Sequence, residues 1–304
     1  MHERRPSTPR TTRHTPDCNG AEEFLLSAKD YNRRTTAERF TYVRCKQCGL
    51  IRISEIPENL GAYYKEDYYE FPSLAKLADI SAKDRYRIEI VQRYSSGMRL
   101  LEVGPAYGLF SYQAFQAGFQ VEAIEMDARC CDFLKGQLSI QAYRSDEPEK
   151  IISEMSKHDV IALWHVIEHL PNPWSLLATA AANLDAGGIL VLAAPNPDAW
   201  QFKIMGRLWP HLDSPRHLYL LPSGLIVRKM SSLGFDCVYQ STSDTEAQRW
   251  NRFGWQRLFM NMFESQGGQY LGYSAGYLIS AILRTFEIRA MAGSSYTLVC
   301  RKRG

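Results

Sequence analysis

From Met98 onward, short apolar runs of β type alternate with stretches whose apolar residues recur at helical spacing. RLLEV, QVEAIE, IQAYR, HDVIALW and ILVLAAPN read as buried strands, with SYQAFQAG, ARCCDFLKGQ and SLLATAAANL as helices among them. A DAGG stop separates the third of these helices from the fifth strand. SGLIVRKMSSLGF adds a helix, DCVYQST a sixth strand and SSYTLVCRK a seventh. This alternation predicts an α/β fold, a doubly wound Rossmann-like sheet of seven strands.

Upstream the pattern differs. CNGAEEFLLSAKDYNRRTTAERFTYVRCKQCGLIRISEIPE alternates β-like runs with polar turns and carries three cysteines, so residues 17–70 are expected to form a small separate module. An aromatic-rich connection, LGAYYKEDYYEF, leads into an amphipathic linker helix within 71–97. The main domain takes 98–244 and 293–304, interrupted by 198–222 after the fifth strand and by a helical insertion, 245–292, before the last. Ligands of open α/β sheets sit beyond the carboxyl ends of the strands, which makes 198–222 the expected substrate lid.

At 304 residues, 45% hydrophobic and 23% charged, the chain can bury a full core, and a net charge of +3 does not point to a nucleic acid partner. Residues 1–16 read as a basic, disordered tail, because the arginine-rich start lacks the apolar core of a secretory signal. A transit peptide is the alternative, opposed by the lack of an amphipathic apolar face. Seven cysteines without an export signal are expected to be reduced thiols or metal ligands in the cytoplasm. No strongly apolar run reaches the ~18 residues of a membrane span.

LLEVGPAYGLF runs from a buried strand through Gly104 and Gly108 into a helix whose first N–H groups can receive an anionic or polar ligand. The Gly-x-x-x-Gly spacing, with Glu102 two residues before Gly104, departs from the dinucleotide pattern. VEAIEMD then places Glu125 at a strand end, 21 residues after Gly104, where a carboxylate can accept from both hydroxyls of a ribose. Such a ribose belongs to S-adenosylmethionine (SAM) and to NAD alike.

Glu102, Gly104, Ala106 and Gly108 resemble the acidic Gly-x-Gly-x-Gly motif of class I SAM-dependent methyltransferases, with Ala106 in place of the middle glycine. The resemblance extends over about residues 45–240, through RCKQCGLIRISEIPENLGAYYKEDYY, HDVIALWHVIEHLPNPWSLL, DAGGILVLAAPN and LWPHLDSPRHLYLLPSGL. It points to a branch with an N-terminal Cys-x-x-Cys, zinc-ribbon-like module and a Pro-Arg-His lid motif. The resemblance implies an antiparallel last strand and methyl transfer from SAM. Its cofactor residues would be Glu102, Gly104, Ala106, Gly108 and Glu125, with Met126 against the adenine, Asp146 accepting from the adenine amino group, and His165, also a catalytic candidate, at the methionine end or the acceptor site. Tyrosine-rich insertions favour O-methylation of a small or amphipathic acceptor: a sugar, a phenol or a lipid-linked intermediate.

Methyl transfer is an in-line displacement, so the protein aligns donor and acceptor and removes a proton. His217 on the lid is the leading base, with Asp213 to orient it; a His bonded only to lid backbone is the alternative. Trp209 and Arg216 are the candidate acceptor contacts, Arg216 through an acidic group unless it makes a lid-to-sheet ion pair.

WHVIEHLPNP has the His-x-x-Glu-His spacing of inverted zinc proteases. Pro171 and Pro173 follow too soon for a long helix, so a zinc hydrolase fails on context and His165 is left as a pocket wall. By resemblance to quinone-forming O-methyltransferases, Glu168 and His169 would lie near a divalent cation, unless they only cap and pack the next helix. A non-catalytic interaction protein that kept the fold is the other alternative.

Cys45-Lys-Gln-Cys48-Gly is a metal knuckle, and Cys18 with His14 would complete a structural zinc site. The 26 residues between Cys18 and Cys45 exceed common ribbon spacing, so a metal-free remnant is the alternative. Residues 265–283 carry no charge and place Gly268, Gly272, Gly276 and Ser280 on one helical stripe. A tightly packed helix is expected there, with peripheral membrane contact as the alternative.

Overall fold

The computed structural model describes residues 15–64, 68–289 and 291–304. Three strands open the chain: β1 (Glu22–Ala28), β2 (Phe40–Cys45) and β3 (Ile51–Ile53). Two short helices follow, α1 (Leu74–Lys83) and α2 (Tyr86–Tyr94). The linker is thus two helices rather than one, because the backbone leaves helical geometry at Asp84 (φ −122°, ψ 81°).

The alternation then unfolds as β4 (Arg99–Val103), α3 (Leu109–Gln116), β5 (Gln120–Glu125), α4 (Ala128–Leu138), β6 (Gln141–Arg144), α5 (Pro148–Glu154) and β7 (His158–Trp164). It continues with α6 (Pro173–Asn183), β8 (Leu184–Pro195), α7 (Trp200–Met205), β9 (Tyr219–Leu220), α8 (Ser223–Ser232) and β10 (Phe235–Ser241). A helical hairpin, α9 (Thr245–Met260) and α10 (Gln266–Glu287), precedes the last strand, β11 (Ser295–Lys302).

Seven strands form the main sheet in the order β10-β11-β8-β7-β4-β5-β6, with β11 antiparallel to both neighbours. The chain starts at β4, winds outward through β5 and β6, then returns to β7 on the other side of β4. That reversal opens a crevice at the carboxyl ends of β4 and β7, the place where such sheets bind ligands. The central strands are buried on both faces, as their near-continuous apolar runs require. DAGG does not end a helix ahead of β8; it lies inside the strand, accommodated by Gly187 at φ +78° and a register shift between His158 and Val160.

The expected separate module and lid are interleaved. β9, from the lid segment, pairs with β3 and completes a second sheet, β1-β2-β3-β9, with Ile51 opposite Leu220. Tyr42 donates its hydroxyl to the His217 carbonyl at 3.1 Å. Tyr42, Ile53 and Leu218 share one buried cluster with Leu101, Ile161 and Leu190 of the main sheet. A small sheet needs a hydrophobic face covered by another layer, and burial against the larger sheet supplies that cover.

Candidate active site

A cavity of about 610 Å³ occupies the crevice. Its floor is the turn after β4. Gly104 is at φ +70°, and a Cβ there would lie 2.6 Å from Val166 Cγ2, so only glycine fits. Ala106 also adopts a positive φ, 54°, which explains why the related motif prefers glycine at this position and marks a strained residue beside the cavity.

Glu125 ends β5 at the cavity wall, and its carboxylate is fixed by three backbone donors: Ala106 N at 3.0 Å, Met126 N at 2.7 Å and Asp127 N at 3.0 Å. Burial nevertheless raises its pKa above the ordinary glutamate value. Met126, Asp146, Trp164 and His165 line the same space. Six of the residues expected at the cofactor, Gly104, Ala106, Glu125, Met126, Asp146 and His165, therefore converge on one cavity.

Glu102 and Gly108 do not line it. Glu102 points into the protein, where it accepts the Ser111 hydroxyl, and burial pushes its carboxyl up to about 7. Its place in the motif is supportive: it ties α3 to β4. Gly108 has φ +80° and starts α3, and a Cβ there would lie 2.5 Å from Leu134 Cδ2, so it is a packing and turn position.

The opposite wall is built from residues that the motif reasoning overlooked. Tyr64, Tyr68 and Tyr69, from the aromatic connection, cover the cavity, with Tyr64 3.1 Å from His169 Nδ1. His165 sits at φ +58°, with its ring stacked on Trp250 at 3.9 Å between centroids. Its Nε2 lies 3.3 Å from Glu246 and its Nδ1 3.6 Å from Glu168. Burial alone would lower the His165 pKa; the two carboxylates outweigh it and the pKa is raised. Glu246 and Trp250 belong to α9, roughly 80 residues downstream, and no local pattern announces them.

Behind this wall is a buried polar cluster. Glu168 is fully buried, and neither carboxylate oxygen has a hydrogen-bond donor among the described residues. His169 Nδ1 is 3.1 Å from the Arg216 carbonyl, and His217 Nδ1 is 2.8 Å from the His211 carbonyl. A carbonyl only accepts, so both Nδ1 atoms carry a hydrogen and donate it to backbone. Glu168, His169 and His217 offer ligating atoms within 4.8 Å of one another. The cluster thus gathers one buried carboxylate and two imidazoles whose Nδ1 hydrogens are bonded to backbone carbonyls. Burial and the neighbouring His217 push His169 down to about 4, so it is neutral at pH 7.

The lid residues take other places than expected. His217 is buried behind His169, with ring centroids 4.6 Å apart, and does not line the cavity. Asp213 does not orient it: that carboxylate is 3.9 Å from His217 Nε2 and is held by Arg216 and Asn32 instead. Arg216 is fully buried in two bidentate bridges, to Asp213 and Asp30, so it has no donor free for an acceptor molecule. Trp209 is 1% exposed and packs on Phe202 and His211, away from the cavity. His165 to His169 end in one turn of 3₁₀ helix (Ile167–His169), which removes the helical context a zinc protease would need.

A methyltransferase-domain family model matches residues 78–240, slightly more than half of the chain. The chain belongs to the methyltransferase-domain family. Its fold is that of class I SAM-dependent methyltransferases: a SAM-dependent methyltransferase from Archaeoglobus fulgidus superposes with a TM-score of 0.50 at 16% identity, over 74% of this chain and 94% of that one. Among curated relatives, the ubiquinone biosynthesis O-methyltransferase of Bordetella avium is 26% identical over 155 residues, 46% of this chain and 64% of that relative. The enzyme of the same name from Paramagnetospirillum magneticum is 26% identical over 182 residues, 53% and 72% of the two chains. The chain thus spans less than two thirds of the length of the first of these relatives.

Cys18, Cys45 and Cys48 form a second group, with sulfurs within 4.8 Å of one another and Cys18 Sγ 3.8 Å from Cys45 Sγ. The N–H groups of Gln47 and Cys48 point at Cys45 Sγ, each at 3.4 Å. The proposed fourth ligand, His14, lies outside the described residues.

Proposed function

We infer that this methyltransferase transfers the SAM methyl to an oxygen of a small acceptor bound under the tyrosine wall. The observation that carries the reading is His169: a neutral imidazole on the cavity wall, beside a buried carboxylate. The β4 turn and Glu125 suit the donor, because a carboxylate fixed by three backbone donors keeps one lone-pair site on Oε2 for a ribose hydroxyl. The Met126 side chain and Asp146 are the adenine contacts, and His165 borders the methionine end.

SAM supplies an electrophilic methyl, so an acceptor oxygen forms the O–CH₃ bond as the S–CH₃ bond breaks, and S-adenosylhomocysteine leaves. The acceptor proton passes to His169 Nε2, where Glu168 stabilises the imidazolium. His217 acts from behind, fixing the cluster through its bond to the His211 carbonyl. The tyrosine wall excludes water and favours a phenol-like or amphipathic acceptor. O-methylation is also the activity in the names of the curated relatives.

A second reading is favoured by the Glu168 carboxylate, which has no hydrogen-bond donor among the described residues, beside two imidazoles. Glu168, His169 and His217 fit a divalent cation, which would lower the acceptor hydroxyl pKa when bound. Cys18, Cys45 and Cys48 likewise fit structural zinc, with a fourth ligand to come from the preceding segment.

The test is turnover of labelled SAM against a panel of catechols, phenols and sugars, paired with calorimetric SAM binding. Submillimolar SAM binding with label in a catechol or phenol product supports the proposal. Loss of turnover on chelation, restored by magnesium or manganese, selects the cation reading over the His169 base. No SAM binding would overturn both and leave a non-catalytic protein.

A further inference from the structure

The hairpin α9–α10 reverses the usual placement of side chains. On α10 the buried positions are small or polar: Gly272, Gly276, Ser280 and Glu287. A Cβ at Gly272 would lie 2.6 Å from the Phe259 carbonyl oxygen, and one at Gly276 2.5 Å from Gln256 Cα, so this stripe is what brings the two helices together. Glu287 anchors the far end by accepting from Gln201 Nε2 and Trp255 Nε1, both at 2.7 Å.

The large apolar residues face outward instead. Tyr270, Leu271, Leu278 and Ile282 are 62–69% exposed, and Tyr273 and Tyr277 about half. At 100° per residue, Leu271, Leu278 and Ile282 fall on one flank of this face and Tyr270, Tyr273 and Tyr277 on the other. Large apolar side chains of a helix normally face the core, and an outward apolar face of this length marks a site of contact.

The border of the face indicates what it meets. Arg252 lies over the Tyr277 ring at 5.4 Å and Arg289 over the Phe286 ring at 5.0 Å, so cations sit at the edge of the apolar surface. Arg252, Arg284 and Arg289 are exposed, and none has a carboxylate within ion-pair distance among the described residues. Of the three acids in the hairpin, Glu246 and Glu287 are buried and only Glu264 is exposed. A second copy seated through the same face would bring this acid-poor arginine border against itself. An anionic bilayer surface matches it: apolar flank toward the acyl chains, tyrosines at the headgroup level, arginines on the lipid phosphates. No described helix is long and apolar enough to cross a membrane, which leaves contact in the plane of the interface.

We propose that the outward face of α10 docks the protein on an anionic lipid bilayer. The test uses the full chain with sedimented vesicles of phosphatidylglycerol and phosphatidylcholine, compared with phosphatidylcholine alone, at physiological salt. Binding to the anionic vesicles should exceed binding to the neutral ones at least tenfold. The triple variant Leu271→Ser, Leu278→Ser, Ile282→Ser should lose at least tenfold, and Arg284→Gln with Arg289→Gln several-fold. All these side chains are exposed, so the variants should keep the wild-type melting temperature and SAM affinity. Failure of the wild type to sediment with anionic vesicles, or equal binding by the triple variant, overturns the proposal. So does a dimer in solution that the triple variant converts to monomer, since a second copy would then cover the face.

Discussion

The two walls of the cavity are made in different ways. The donor wall is backbone: the β4 turn and the β5 end place Gly104, Ala106 and Glu125 through a single strand-turn-helix unit and its neighbour. The wall proposed for the acceptor is a set of side chains from the tyrosine connection and the loop after β7, held from behind by two further segments, the lid and α9. A wall of backbone tolerates change elsewhere, because its geometry is set locally. A wall assembled from four segments depends on the buried charges that hold them in register, and this contrast can be tested piece by piece.

The largest effect is expected at Arg216, which joins the module to the lid through Asp30 and Asp213. Arg216→Ala strands two buried carboxylates and should cost about 3–5 kcal/mol in denaturant unfolding. A loss below about 1 kcal/mol would show that the network is not what couples the segments. Next, His169→Ala should lower turnover about 100-fold while calorimetric SAM affinity changes less than threefold. Normal turnover would remove His169 from the chemistry.

On the donor wall, Glu125→Gln should weaken SAM binding about tenfold, as one charged acceptor on the ribose is lost. Unchanged affinity would place the ribose elsewhere. Away from both walls, the expected effect is a pH dependence. Glu102 is held near 7 in the folded protein against 4.5 for an ordinary glutamate. Because folding raises this acid's pKa, the folded state keeps a proton that the unfolded state releases, and stability falls as pH rises from about 4.5 to 7. Glu102→Gln should remove that fall, improving stability at pH 8 relative to pH 5 by about 2–3 kcal/mol, measured by urea unfolding at both pH values. A pH-independent difference would mean that Glu102 is ionised throughout.

The contrast also explains what could be read in advance. The sheet, its switch point and the cofactor turn were legible because apolar runs and glycine positions are local signals. The tyrosine wall left a trace in YYKEDYYEF, yet nothing in that string says which way the rings point. Trp209, Asp213, Arg216 and His217 lie together in the lid sequence, but the fold buries all four and gives the cavity to His169 instead. A string of reactive residue types specifies only candidates, because burial depends on which distant segment packs against it.

The sequence by itself determined the doubly wound sheet, the donor turn and the acid that ends β5, since each follows from backbone periodicity within about 30 residues. Only the tertiary structure decided that β9 completes the first sheet, that Glu246 and Trp250 clamp His165, and that α10 turns its apolar side outward. Those outcomes rest on long-range packing, where a residue's role is set by neighbours scattered along the chain.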